Sequence, residues 1–87
     1  MAQVRLPTAL VTLFPGTPRR LELDGGTVGE VLAALDARVP GIHDRLLTGG
    51  PVIREHIRVF VDGEAAELGT PVSPRSAVEV VLAVSGG

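Results

Sequence analysis

Apolar and polar positions change their spacing several times along the chain, and each change marks an expected element. Residues 4–14 (VRLPTALVTLF) are rich in Val, Leu and Thr and read as a strand interrupted by Pro7. A proline there predicts an edge position, a bulge or an early break, because it has no N–H to give to a ladder. Pro15-Gly16-Thr17-Pro18 is a turn signal, since proline presets φ and glycine admits a positive φ. Arg20-Leu21-Glu22-Leu23 then alternates and predicts the returning strand of a hairpin, ended by Asp24-Gly25-Gly26.

The period next changes to that of a helix. Thr27-Val28-Gly29-Glu30 has the form of a capping box: the Thr hydroxyl accepts from an orphan backbone N–H, and the Glu reaches back to the cap. Val28, Val31, Leu32, Leu35 and Val39 come next as one apolar stripe, with Glu30, Asp36 and Arg38 off it. Pro40-Gly41 stops this helix, residues 42–47 (IHDRLL) add a further helical turn, and Thr48-Gly49-Gly50-Pro51 reads as a loop.

The remainder alternates with period two. Ile57, Val59 and Val61 share one face of a strand and Arg58 and Phe60 the other. Asp62-Gly63 is a turn dipeptide, after which residues 65–68 predict a short strand. Residues 77–84 (AVEVVLAV) form the last strand, with Val78, Val80 and Leu82 alternating against Glu79, Val81 and Ala83. The expected fold class is α+β: a four- to five-stranded mixed sheet covered on one face by one main helix. The first and last strands are the most apolar and belong at its centre. Residues 1–84 form the domain and residues 85–87 a flexible tail.

Composition narrows the chemistry. The 87 residues allow one small domain, and with Phe14 and Phe60 as the only aromatics its core must be built from Val, Leu, Ile and Ala. The chain has no Cys, which removes disulfides, thiolate metal sites and thiol nucleophiles. All eight positive charges are Arg, so Schiff-base chemistry and the P-loop lysine are also absent. A net charge of −2 gives no electrostatic reason to bind nucleic acid. The apolar runs are far shorter than the roughly 20 residues of a membrane span, and no signal-peptide pattern opens the chain. The expected location is the cytoplasm, with no membrane partner.

Few side chains are candidates for catalysis or metal binding. His43 and His56 are read as solvated loop histidines, because neither has metal-ligating neighbours at ligand spacing. Gly25-Gly26 precedes a helix start and could approach a phosphate, but Thr27 already serves that terminus, so the pair reads as a turn. Arg19-Arg20, beside Glu22 and Asp24, reads as a solvated hairpin edge. No acid/base couple is apparent, and the expectation is a non-enzymatic protein with no catalytic residue, no bound metal and no bound cofactor.

The end of the chain is more informative. Gly86-Gly87 comes shortly after the apolar last strand, so the pair leaves from a rigid base. The element order, the T-x-x-E helix start, the Phe60-Val61-Asp62-Gly63 region and the ending Val84-Ser85-Gly86-Gly87 together resemble the ubiquitin-like sulfur carriers of the ThiS/MoaD family. Thr27-Val28-Gly29-Glu30-Val31 and the G-I-x-x-R-L string of residues 41–46 extend the resemblance toward the carriers of cysteine synthesis in mycobacteria. Ser85 stands where that family usually has Ala, and its side chain is small enough for the same passage.

The resemblance implies a β-grasp fold and a carboxyl terminus that is the working group. An E1-like adenylyltransferase, using ATP and Mg, would convert Gly87 to an acyl-adenylate, and sulfur would displace AMP to leave a thiocarboxylate. A downstream synthase of cysteine, thiazole, molybdopterin or a secondary metabolite would take the sulfur, and a metal-dependent peptidase is a further candidate partner. Gly87 is then the covalently modified residue, and Ser85 and Gly86 thread the tail into the partner's site. Glycine suits that passage because it lacks a Cβ and tolerates φ of either sign. Phe60, Val81 and Ala83, with Arg58 at the rim, have the composition of a docking surface on the open face of the sheet. Three alternatives remain open at this point: a ubiquitin-like modifier conjugated through Gly87, the small subunit of molybdopterin synthase, or a binding domain whose diglycine is incidental.

Overall fold

The first strand, β1 (Ala2–Arg5), buries Ala2 and Val4 and turns Gln3 and Arg5 outward, as a half-buried strand should. The computed structural model describes residues 1–47, 53, 54 and 56–82. Pro7 ends this strand, but the next element is a helix, α1 (Thr8–Leu13), so the reading of residues 4–14 as one strand is corrected. The reason lies in spacing. Leu6 and Leu10 are buried and Phe14 is half-buried, a recurrence every four residues that puts all three on one side of a helical turn. Pro7, at φ −72, needs no N–H partner at a helix start, and its carbonyl accepts from the Leu10 and Val11 amides. Thr12 also returns its hydroxyl to the Thr8 carbonyl at 3.0 Å, which lets a β-favouring residue sit in a helix.

Gly16, at φ +88, turns the chain back into β2 (Arg20–Leu23), antiparallel to β1. α2 (Val28–Arg38) then starts at Thr27, whose hydroxyl accepts the Glu30 N–H at 3.2 Å. Glu30 does reach back, but to the N–H of Gly26 at 3.0 Å rather than to that of the cap itself. The whole apolar stripe of Val28, Val31, Leu32, Leu35 and Val39 is buried. Each fully buried Leu on it contributes about 1.5–3 kcal/mol relative to exposure. Gly41, at φ +95, opens the short α3 (Ile42–Leu46), and one Asp36 carboxylate oxygen accepts from both the Gly41 and His43 amides, at 3.1 and 3.0 Å. His43 therefore lies half-buried in a helix, a correction to its reading as a solvated loop residue, while His56 is exposed in a turn. α3 is the further helical turn expected at residues 42–47, so α1 is the one helix among those described that the sequence pattern does not predict, and α2 remains the main helix.

β3 (Ile57–Val61) and β4 (Glu64–Ala66) form a hairpin through Asp62 and Gly63, both at positive φ. A two-residue loop with that geometry matches the twist of the flanking strands. It also starts β4 one residue earlier than the alternation of residues 65–68 suggests. β5 (Ala77–Leu82) completes a mixed sheet in the order β2-β1-β5-β3-β4. β5 lies at its centre with β1 parallel beside it, and the remaining pairings are antiparallel. Among the described residues, the buried apolar side chains are Ala, Val, Leu and Ile, as the composition requires.

Candidate functional site

The sheet has one face on the core and one face open, and the register decides what meets on the open one. In the β3–β5 pair, Val59 lies opposite Val80 and Ile57 opposite Leu82, on the core side. The alternate positions therefore place Arg58 opposite Val81 and Phe60 opposite Glu79 on the other face. Arg58, Phe60 and Val81 are thus brought together as the alternation predicts. Phe60 is half-buried rather than exposed, flanked in register by Glu79 on one strand and Ala65 on the other. Val81 is half-buried as well, and Arg58 is exposed. Ala83, Ser85, Gly86 and Gly87 lie outside the described residues, as does the Thr48-Gly49-Gly50-Pro51 loop.

The row continues across the sheet. Glu79 neighbours Arg5 in the parallel β1–β5 pair, and the two side chains approach to 3.8 Å. Both are about half exposed, so this pair contributes little beyond orientation. Arg5 in turn stands opposite Arg20 of β2. Alternation alone puts Arg5 and Arg20 on the polar face, but their juxtaposition depends on a register set through α1, which the strand-like composition of that segment concealed.

The start of α2 is committed to the fold. The Val28 amide donates to the Thr70 carbonyl at 3.0 Å and the Gly29 amide to the Leu68 carbonyl at 2.8 Å. With Glu30 bonded to Thr27 Oγ1 and Gly26 bonded to Glu30 Oε1, the N–H groups that would hold an anion are already used. Gly25 and Gly26 therefore serve a turn. Among the described residues, no group of three or more His, Asp or Glu is placed to hold a metal ion, and no helix is long and apolar enough to cross a membrane.

The model of the ThiS family matches residues 4–87, nearly the whole chain and including Gly86-Gly87. The chain belongs to the ThiS family. It is 35% identical over 69 residues to small archaeal modifier protein 1 of Haloferax volcanii, a match that spans 78% of this chain and 79% of that protein. Its fold superposes on a chain of the Amycolatopsis orientalis BexX/CysO complex with a TM-score of 0.90 at 28% identity, covering 100% of both. Mycobacterium tuberculosis CysO superposes with a TM-score of 0.87 at 26% identity, covering 97% of this chain and 100% of that one. The five-stranded mixed sheet with its helices is therefore the ubiquitin-like β-grasp, and the protein is a small sulfur carrier or modifier of the ThiS type rather than an enzyme.

Proposed function

We propose that this protein carries sulfur as a thiocarboxylate on the carboxyl group of Gly87. The supporting observation is a family match whose span, residues 4–87, includes the diglycine, on a chain with no thiol of its own. A carboxylate is a poor electrophile, so the oxygen must first become a leaving group. An E1-like partner supplies this step: the Gly87 carboxylate attacks the α-phosphorus of ATP, with Mg on the phosphates, giving the acyl-adenylate and pyrophosphate. Sulfide, or the terminal sulfur of a persulfide, then attacks the acyl carbon and AMP departs. A persulfide-bound intermediate needs a thiol to release the thiocarboxylate as a disulfide is formed. A sulfur-accepting synthase is the next partner, and a metal-dependent peptidase is a candidate where the tail must be trimmed.

Phe60, Val81 and Ala83, edged by Arg58, provide the surface that docks the activating enzyme. The place of Arg58 and Phe60 on β3 and of Val81 on β5 supports this reading, because β5 also precedes the tail in the sequence. Five extended residues beyond Leu82 span at most about 17 Å, enough to pass from a docked sheet face into a recessed nucleotide site.

A second reading is favoured by the likeness to small archaeal modifier protein 1. In it, the same acyl-adenylate is passed to a lysine of another protein. This chain contains no Lys and so offers no side-chain amine to a second copy. Intact-mass measurement after incubation with an E1-like enzyme, ATP-Mg and sulfide separates the two. A gain of about 16 Da, oxygen replaced by sulfur, supports the carrier, and a ladder of lysine-linked adducts supports the modifier. An unchanged mass with an enzyme proven active on another carrier overturns both.

A further inference from the structure

The edge of the sheet away from Phe60 and Val81 carries a feature that the carrier chemistry does not use. β2 is the outermost strand on its side, so its outer row of backbone N–H and C=O groups faces no strand among the described residues. Two hollows flank it. Arg5, Arg20 and Glu22 line one, and Phe14, Pro15 and Pro40 line the other. Pro18, Leu21 and Arg38 line both, so the hollows join into one groove between β2 and the end of α2.

One part of this groove is apolar. Residues 6–18 contain no charged side chain, so the exposed face of α1 carries only Thr8, Ala9, Thr12 and Leu13. Leu13 is 54% exposed and Met1 62%, and they are the large hydrophobic residues left exposed among those described. Leu13 lines the apolar hollow and Met1 the basic one.

The other part is basic. Arg20 stands in register opposite Arg5, and like charges directly across a strand pair are mildly destabilising. Arg5 is shared with Glu79, whereas Arg20 and Arg38 have no ion pair among the described residues. Three arginines thus face Glu22 and Glu79 in a hollow of a chain whose net charge is −2.

We propose that this groove binds an extended acidic segment of a partner protein, added as a strand to the free edge of β2 and anchored by an apolar side chain beside Leu13 and Phe14. Backbone groups of the segment pair with β2, which at four residues spans about 13 Å. Its apolar anchor covers Leu13, and its carboxylates neutralise Arg20 and Arg38. A nucleic acid would leave Leu13 and the apolar hollow without a partner, whereas a peptide with both carboxylates and an apolar side chain fills both parts of the groove. The site is independent of Gly87, so it is tested on the unmodified carrier.

The test titrates 15N-labelled full-length protein with a panel of octapeptides having a central Val/Ile/Leu run flanked by Asp and Glu. Lysine-flanked versions, a single-stranded oligonucleotide and phosphatidylglycerol vesicles serve as comparison probes. Saturable binding of acidic peptides, with amide shifts at residues 13–14, 20–23 and 38, supports the proposal. Arg20→Glu with Arg38→Glu then weakens binding by at least about tenfold, Leu13→Asp weakens it severalfold, and Phe60→Ala leaves it unchanged. Arg20→Glu replaces a like-charge pair with an opposite one, so lost binding there is not lost folding; a thermal melt checks this. The proposal is overturned if no peptide saturates, if lysine-flanked peptides bind equally, or if the shifts centre on Phe60 and Val81. Binding of only the oligonucleotide or the vesicles at these arginines overturns it too.

Discussion

Gly25 lies so close to the first turn of α2 that a Cβ on it would stand 2.7 Å from the Val31 backbone nitrogen and 2.8 Å from Val31 Cγ2. The chain passes from β2 into the helix through a gap that admits only a backbone. Gly26, its neighbour, has the flexible Glu30 carboxylate 3.6 Å from the corresponding point. Two adjacent glycines thus have unequal duties.

Replacing Gly25 by Ala should therefore cost about 1–3 kcal/mol, because backbone and a buried valine must both give way. Gly26→Ala should stay within about 0.5 kcal/mol of the parent. Urea unfolding of the two variants checks the contrast. Equal losses would mean that the close approach is not what selects glycine at this turn.

Asp62 and Ala77 tie the β3–β4 hairpin to the start of β5. The Asp62 amide donates to the Ala77 carbonyl, and the Ala77 amide donates to Asp62 Oδ1, each at 2.9 Å. Asp62 also sits at φ +50, where Asp and Asn are tolerated better than Ala. Asp62→Ala should lose about 1–2 kcal/mol, and Asp62→Asn, which keeps an acceptor and suits the backbone, less than half of that. Chemical denaturation of both variants distinguishes the lost acceptor from a general intolerance of the site.

Elements with one dominant period were legible from the sequence. The Thr27 cap, the stripe from Val28 to Val39 and the alternation of Ile57, Val59 and Val61 each obey a local rule that the packed protein preserves. α1 was not legible, because TALVTL mixes β-branched residues into a six-residue helix too short to show its period. Its three inward contacts, Leu6, Leu10 and Phe14, begin and end outside the helix itself. The open-face patch was legible through alternation, since Phe60 and Arg58 are out of phase with the buried residues of the same strand. The Arg5–Arg20 pair was not, because pairing across strands depends on the length and shape of the segment that joins them. Residues 83–87 lie outside the described residues, and the reading of the diglycine rests on sequence and family.

Phe60 lies opposite Glu79 on the face away from the core, so truncating it removes contact area without opening a buried cavity. Phe60→Ala should lower stability by less than about 1 kcal/mol and weaken binding to an E1-like enzyme by about tenfold or more. Calorimetric titration against the enzyme, beside a thermal melt of the free protein, checks the two together. A stability loss in the range of about 3–5 kcal/mol typical of buried aromatics would instead assign Phe60 to the core.

The reacting end and the fold should separate cleanly. The buried residues of the described core run no further than Val80, and Leu82 packs only partly against them. In the proposed mechanism, Gly86→Val adds a β-branched side chain next to the group that would enter the partner's nucleotide site, and it narrows the backbone conformations available there. Deleting Gly87 moves the carboxyl group back by one residue, about 3.5 Å, which is enough to take it out of line with the α-phosphorus of ATP. Both changes should abolish enzyme-dependent pyrophosphate release while shifting the melting temperature by less than about 2 °C. Gly86→Ala, with a single added methyl, should retain part of the rate. A collapse of the fold on deleting Gly87 would make the diglycine structural, and full activity with Gly86→Val would mean that the end of the chain does not pass through a narrow site.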